Sequence, residues 1–77
     1  MTRLAFQNAL ADILDMPRNA LRDSDTRDTL ASWTSLADVK ILTMISTEFG
    51  IEPDAELLNA ESIGELMDEL ERRQTFA

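Results

Sequence analysis

The side chains able to do chemistry are few here, because the chain has no histidine, cysteine or tyrosine and its single lysine is Lys40. A nucleophile paired with a histidine base is therefore out of reach. The usual zinc, iron–sulfur and haem ligand sets are missing as well. Fifteen acidic residues remain, but they occupy positions that helical spacing assigns to solvated faces. The expectation is a chain with no catalytic residues and no metal site of its own. The acidic run Asp23-Ser24-Asp25-Thr26-Arg27-Asp28 begins like a calcium-binding loop, with acids at alternate positions. Arg27 then falls at the fifth position, Asp28 at the sixth where glycine makes the turn, and Thr34 at the twelfth where a bidentate glutamate is needed.

The informative stretch is Trp33-Thr34-Ser35-Leu36. Ser35 directly precedes an apolar run at helical spacing, so its hydroxyl suits a helix N-cap accepting from first-turn amides. The same position also suits an attached phosphate, since a serine at a helix start stands beside unpaired N–H groups and the positive end of the helix dipole. Physics alone leaves both open.

Four elements must position that serine. Phe6, Leu10, Ile13 and Leu14 fit one helical stripe, with Thr2 as N-cap and Pro17 barring continuation, which predicts a helix over Thr2 to Asp15. A long connection from Met16 to Thr34 follows. Its residues at 23–26 favour turns, and Leu21 and Leu30 on either side of them are two isolated anchors for the core. Ser35 opens a second helix whose stripe is read as Leu36, Val39, Leu42, Ile45 and Phe49, ending at Gly50 as C-cap. Asp54 to Asn59 has room for a turn or two of helix. Ser62-Ile63-Gly64-Glu65 is a capping box leading into Ile63, Leu66, Met67 and Leu70, which predicts a last helix from Ile63 to Arg73. The expected fold is all-α: a four-helix bundle, three longer helices and a short third, with one long loop between the first and second. Trp33 is expected to cover the corner where that loop meets helix 2. Ile41, Leu42, Ile45, Ile51, Leu57, Ile63 and Leu66 are expected to line the interior.

At 77 residues the chain is about half the ~150 residues typical of a domain, so residues 1–77 form one domain. Its net charge of −8 repels phosphate backbones and anionic headgroups, which argues against nucleic acid and membrane surfaces. No apolar run approaches the ~18 residues needed to cross a bilayer. A cytoplasmic monomer, complete from Met1, is the expectation.

The ordered motifs resemble the acyl carrier protein family across nearly the whole chain. That family's pattern is Asp-Ser-Leu opening helix 2, often after Trp, then apolar positions at helical spacing ending in Glu-Phe-Gly-Ile. Here Trp33-Thr34-Ser35-Leu36 leads through Val39, Leu42 and Ile45 to Glu48-Phe49-Gly50-Ile51. The helix 1 stripe, the long loop and a Ser-Ile-Gly-Glu-Leu start to helix 4 agree. The resemblance implies a 4′-phosphopantetheine arm attached covalently to Ser35 by a phosphopantetheinyl transferase. It also implies an acyl or aminoacyl cargo held as a thioester and passed between loading and downstream biosynthetic enzymes. Thr34, Leu36, Val39 and Lys40 would then be the partner-binding residues.

Two positions depart from the pattern. Thr34 stands where the family has Asp, and Lys40 where an acidic residue is common. From Ser35 to Glu48 the only charges are Asp38, Lys40 and Glu48, whereas Phe49 to Ala77 holds eight acids against Arg72 and Arg73. Acidity has moved away from helix 2, which implies a specialised pathway rather than housekeeping fatty-acid synthesis. The alternative is a carrier-like acidic helical adaptor that lacks the prosthetic group and binds a basic protein partner.

Overall fold

The computed structural model describes residues 1–76 and is all-α, with helices α1 (Arg3–Ile13), α2 (Ser35–Phe49), α3 (Ala55–Leu58) and α4 (Ile63–Arg72). Among the described residues there is no strand, only an isolated antiparallel bridge between Thr26 and Ser62. Each helix begins on a side chain suited to the task. Thr2 accepts from the Ala5 amide, Asp54 from those of Glu56 and Leu57, and Ser62 from that of Glu65. Gly50 ends α2 at φ 66°, in the left-handed region that an L side chain enters only with strain. The capping box is not fully reciprocal, since the Glu65 carboxylate accepts from the Glu61 amide at 2.7 Å rather than from Ser62.

The core collects Phe6, Leu10 and Leu14 from α1 and its C-cap, Leu57 from α3, and Ile63, Leu66, Met67 and Leu70 from α4, all buried. Leu21 and Leu30 reach into it from the long loop as expected. Phe6, Phe49 and Phe76 form a three-ring cluster with centroids 5.6–5.7 Å apart, which ties α1 to the end of α2 and to the C-terminal segment.

On α2 the buried stripe differs from the one expected. Ala37, Ile41 and Ile45 face the core, with Leu42, Met44 and Phe49 partly buried beside them. Leu36 and Val39 are 65 % and 60 % exposed. Because α2 carries large apolar residues on more than one side, spacing alone does not fix which side turns inward.

The long loop between α1 and α2 is fastened to the start of α4. The Asp25 and Asp23 carbonyls accept from the Ile63 and Gly64 amides at 2.9 Å each, which satisfies two first-turn donors that have no partner inside the helix. Asp25 also closes its own turn, its carboxylate accepting from the Arg22 amide and the Thr29 hydroxyl.

Gly64 is required by this close approach: a Cβ there would stand 3.0 Å from the Asp23 carbonyl oxygen and 3.1 Å from Asp23 Cβ. The backbone it meets is pinned by the bond from the Gly64 amide itself. Gly64→Ala is therefore expected to lower stability by about 1–2 kcal/mol, the crowding outweighing the ~1 kcal/mol helix preference for alanine. Urea unfolding measures it; a variant as stable as the parent would show that the loop yields freely.

Asp54 links the start of α3 to the end of α4. Its Oδ1 caps α3 and accepts from Arg73 Nη2 at 2.9 Å, while Arg73 Nε donates to Glu69 at 2.8 Å. The Arg73 hydrogen bond, helped by the Leu57 and Glu56 amides and opposed by desolvation, holds the Asp54 carboxyl below its ordinary 3.8. A carboxyl depressed in the folded state contributes stability above its unfolded pKa, and that contribution is lost as pH falls through the folded value. Asp54→Asn keeps a capping oxygen but removes this titration. It is expected to flatten the loss of melting temperature between about pH 5 and about pH 3; a slope equal to the parent's would remove Asp54 from the acid response.

Candidate functional site

Ser35 is exposed and is the first residue of α2. It is not the N-cap. Thr34 takes that role, with extended backbone at φ −106° and ψ 179° and its hydroxyl accepting from the Ala37 amide at 3.4 Å. Thr34 thus keeps the capping function that an aspartate would serve at the same place, but without a charge. Among the described residues the Ser35 hydroxyl has no hydrogen-bond partner. Its own amide and that of Leu36 lie in the first turn, where helical geometry provides no acceptor. A primary alcohol, free amides and a helix N-terminus are therefore presented to solvent together.

What holds this corner is a cluster that residue spacing does not reveal. Arg27, in the long loop, donates through Nη1 to both carboxylate oxygens of Asp38 at 3.0 and 2.8 Å. Through Nη2 it donates to the carbonyls of Leu58 and Ala60 at 3.3 and 3.4 Å. Its guanidinium lies 4.4 Å from the centre of the Trp33 ring, in the range of a cation–π contact. Trp33 is buried, and its indole N–H donates to Asp38 Oδ1 at 2.9 Å. One guanidinium thereby joins the loop, the first turns of α2 and the link between α3 and α4. The only hint in the sequence is a lone base within an acidic run.

The cluster consumes the one acid near the start of α2. Asp38 is engaged by Arg27 and Trp33, so its charge is balanced inside the fold. Leu36, Val39 and Lys40 stand exposed beyond Ser35. Lys40, like Arg22 in the long loop, has no ion-pair partner among the described residues, whereas Arg3, Arg18, Arg27, Arg72 and Arg73 are paired. Thr34, Ser35, Leu36, Val39 and Lys40 thus share the exposed N-terminal part of α2 and its cap.

The interior residues expected on the core side behave as packing. Ile41, Ile45, Leu57, Ile63 and Leu66 are buried, and Leu42 and Ile51 are partly buried against them. A surface cleft of about 400 Å³ is lined by Thr26, Arg27, Asp28, Leu58, Asn59 and Glu61. Its lining is mostly polar, and none of the expected site residues borders it. Among the described residues no group of three or more carboxylates is placed to hold a metal ion, and no helix is long and apolar enough to cross a membrane.

Compared with known protein families, characterised proteins and solved structures, the chain matches none.

Proposed function

We propose that this chain is a carrier protein whose Ser35 bears a 4′-phosphopantetheine arm. The observation that supports it best is the division of labour at the start of α2: Thr34 performs the capping, so the Ser35 hydroxyl has no structural duty and stands free for modification. The residues fit the group. A phosphodiester on Ser35 would meet the unpaired amides of Ser35 and Leu36 and the positive end of a 15-residue helix. When attached, the arm supplies a terminal thiol, which a chain without cysteine lacks, and carries an acyl or aminoacyl cargo as a thioester.

The remaining work belongs to this chain's own side chains. Arg27, Asp38 and Trp33 hold the loop against α2, which keeps the serine at a fixed corner. Leu36 and Val39 offer an apolar surface next to it. With no histidine or cysteine, the attachment step falls to a separate phosphopantetheinyl transferase, and loading and removal of cargo fall to further enzymes. In this reading the four helices form an up-and-down bundle, and the protein is a cytoplasmic monomer serving a specialised biosynthetic pathway.

The departures at Thr34 and Lys40 give the reading a second test. Encounter between a carrier and its enzymes is steered by charge, and a wrong-sign residue at the rim mainly slows association. Thr34→Asp with Lys40→Glu keeps a capping side chain while restoring negative charge around Ser35. The double variant is expected to be primed faster than the parent by a generic transferase with a basic docking face, and to be used less well by the protein's own loading enzyme. Both differences should shrink at high salt. Parallel priming and loading assays decide it: equal use of parent and variant at low salt would make both positions ordinary solvated surface.

The adaptor reading, in which the same fold lacks the arm, makes the opposite claim about Ser35. Under it, incubation with coenzyme A and a broad-specificity transferase leaves the mass unchanged.

A further inference from the structure

The exposed face beside Ser35 carries a charge opposite in sign to the rest of the molecule. The chain as a whole bears −8, yet the free charge among Ser35, Leu36, Val39 and Lys40 is a single cation. Asp38 cannot offset it outward, because both its oxygens receive Arg27 at 3.0 and 2.8 Å and one also receives the Trp33 indole at 2.9 Å. The next acid on the helix is Glu48, about two turns beyond Lys40. The face therefore consists of two apolar side chains, 65 % and 60 % exposed, edged by an unpaired ammonium and the neutral hydroxyls of Thr34 and Thr43.

From this arrangement we infer that α2 docks a protein partner whose contact surface is apolar and carries a carboxylate that meets Lys40. The inference rests on the carrier reading and deepens it by fixing the chemistry of the partner. Apolar contact at Leu36 and Val39 supplies the affinity, and the Lys40–carboxylate pair supplies sign selection at the rim. A basic partner gains nothing on this face. It is drawn instead toward the start of α4, where Glu61 and Glu65 are exposed and have no ion-pair partner among the described residues, whereas Asp68, Glu69 and Glu71 are paired with Arg3, Arg72 and Arg73. The internal Arg27–Asp38 pair is thus also a specificity device, since it removes the acid that would otherwise cancel Lys40.

The test uses two amphipathic helical peptides with the same leucine face, one flanked by glutamates and the other by lysines, titrated into the isotope-labelled protein while backbone amide signals are followed. The glutamate-flanked peptide is expected to shift the amides of Leu36, Val39 and Lys40, and Lys40→Glu is expected to weaken its binding by about two- to five-fold, the range of an exposed ion pair. The lysine-flanked peptide is expected to move the α4 amides instead. The inference is overturned if the lysine-flanked peptide is the one that shifts residues 36–40, or if the glutamate-flanked peptide leaves them unmoved. It is equally overturned if those amides shift with protein concentration alone, because the face is then a contact between copies of this chain. Priming of Ser35 is read separately, by mass. A protein that gains the arm but fails the peptide test retains the carrier function and loses only the assigned partner chemistry.

Discussion

Phe6→Ala is expected to remove about 3–5 kcal/mol of stability, the range for truncating a fully buried aromatic residue. Phe6 has no exposed surface and meets two other rings, Phe49 and Phe76, with centroids 5.6 Å away in each case. Each such pair contributes about 0.5–1.5 kcal/mol beyond the area it buries. Those contacts are what connect α1 to the C-terminal end of α2 and to the segment after α4, so no other element is placed to refill the space. A chain of 77 residues has a total stability of only about 4–12 kcal/mol. One substitution thus takes a large share of it, and the melting temperature is expected to fall by about 12 °C or more. Thermal and urea unfolding of parent and variant measure the effect. A loss under about 1.5 kcal/mol would mean that the three-ring cluster is not part of the working core.

The second large effect is chemical rather than structural. Ser35→Ala is expected to abolish attachment of the phosphopantetheine arm completely while changing stability by no more than about 0.5 kcal/mol, the range for an exposed position outside any special feature. Were Ser35 the N-cap, the same substitution would cost about 0.5–2 kcal/mol. Because Thr34 holds the cap and Ser35 is the first helical residue, the cost should fall on Thr34→Ala instead. The pair of variants separates the two duties: Thr34→Ala loses stability and keeps the acceptor hydroxyl, whereas Ser35→Ala keeps stability and loses the acceptor. An alanine variant at 35 that still gains the arm places the attachment elsewhere, and one that unfolds assigns Ser35 a structural role.

Features set by a few adjacent residues are legible in the sequence itself. Thr2, Asp54 and Ser62 announce helix starts through their own side chains, Gly50 announces an end, and the α4 stripe has a single apolar side, so its buried face admits one reading. Leu21 and Leu30 stand out as isolated apolar residues in a polar loop, and both are buried. Where the residues leave two solutions of similar energy, spacing does not decide between them. Thr34 and Ser35 are neighbouring hydroxyls, either able to cap, and their order is settled by where the chain enters the helix. In α2, Leu36, Val39, Ile41, Leu42, Met44 and Ile45 surround most of the axis, so periodicity cannot choose between Leu36–Val39 and Ala37–Ile41 as the inward side. The Arg27–Asp38 pair and the approach of Gly64 to Asp23 join residues 11 and 41 positions apart, and nothing local marks such contacts. They are also what fixes the candidate site, since they seat the loop that delivers Ser35 and neutralise the acid beside it.

Whether Ser35 carries the arm is read from the intact mass of the parent protein after incubation with coenzyme A and a broad-specificity phosphopantetheinyl transferase, followed by fragmentation to locate the added group. The expected result is a gain of one phosphopantetheinyl unit, carried by the peptide that contains Ser35. An unchanged mass, under conditions in which a carrier domain of known activity is fully converted, would contradict it and leave the adaptor reading in its place.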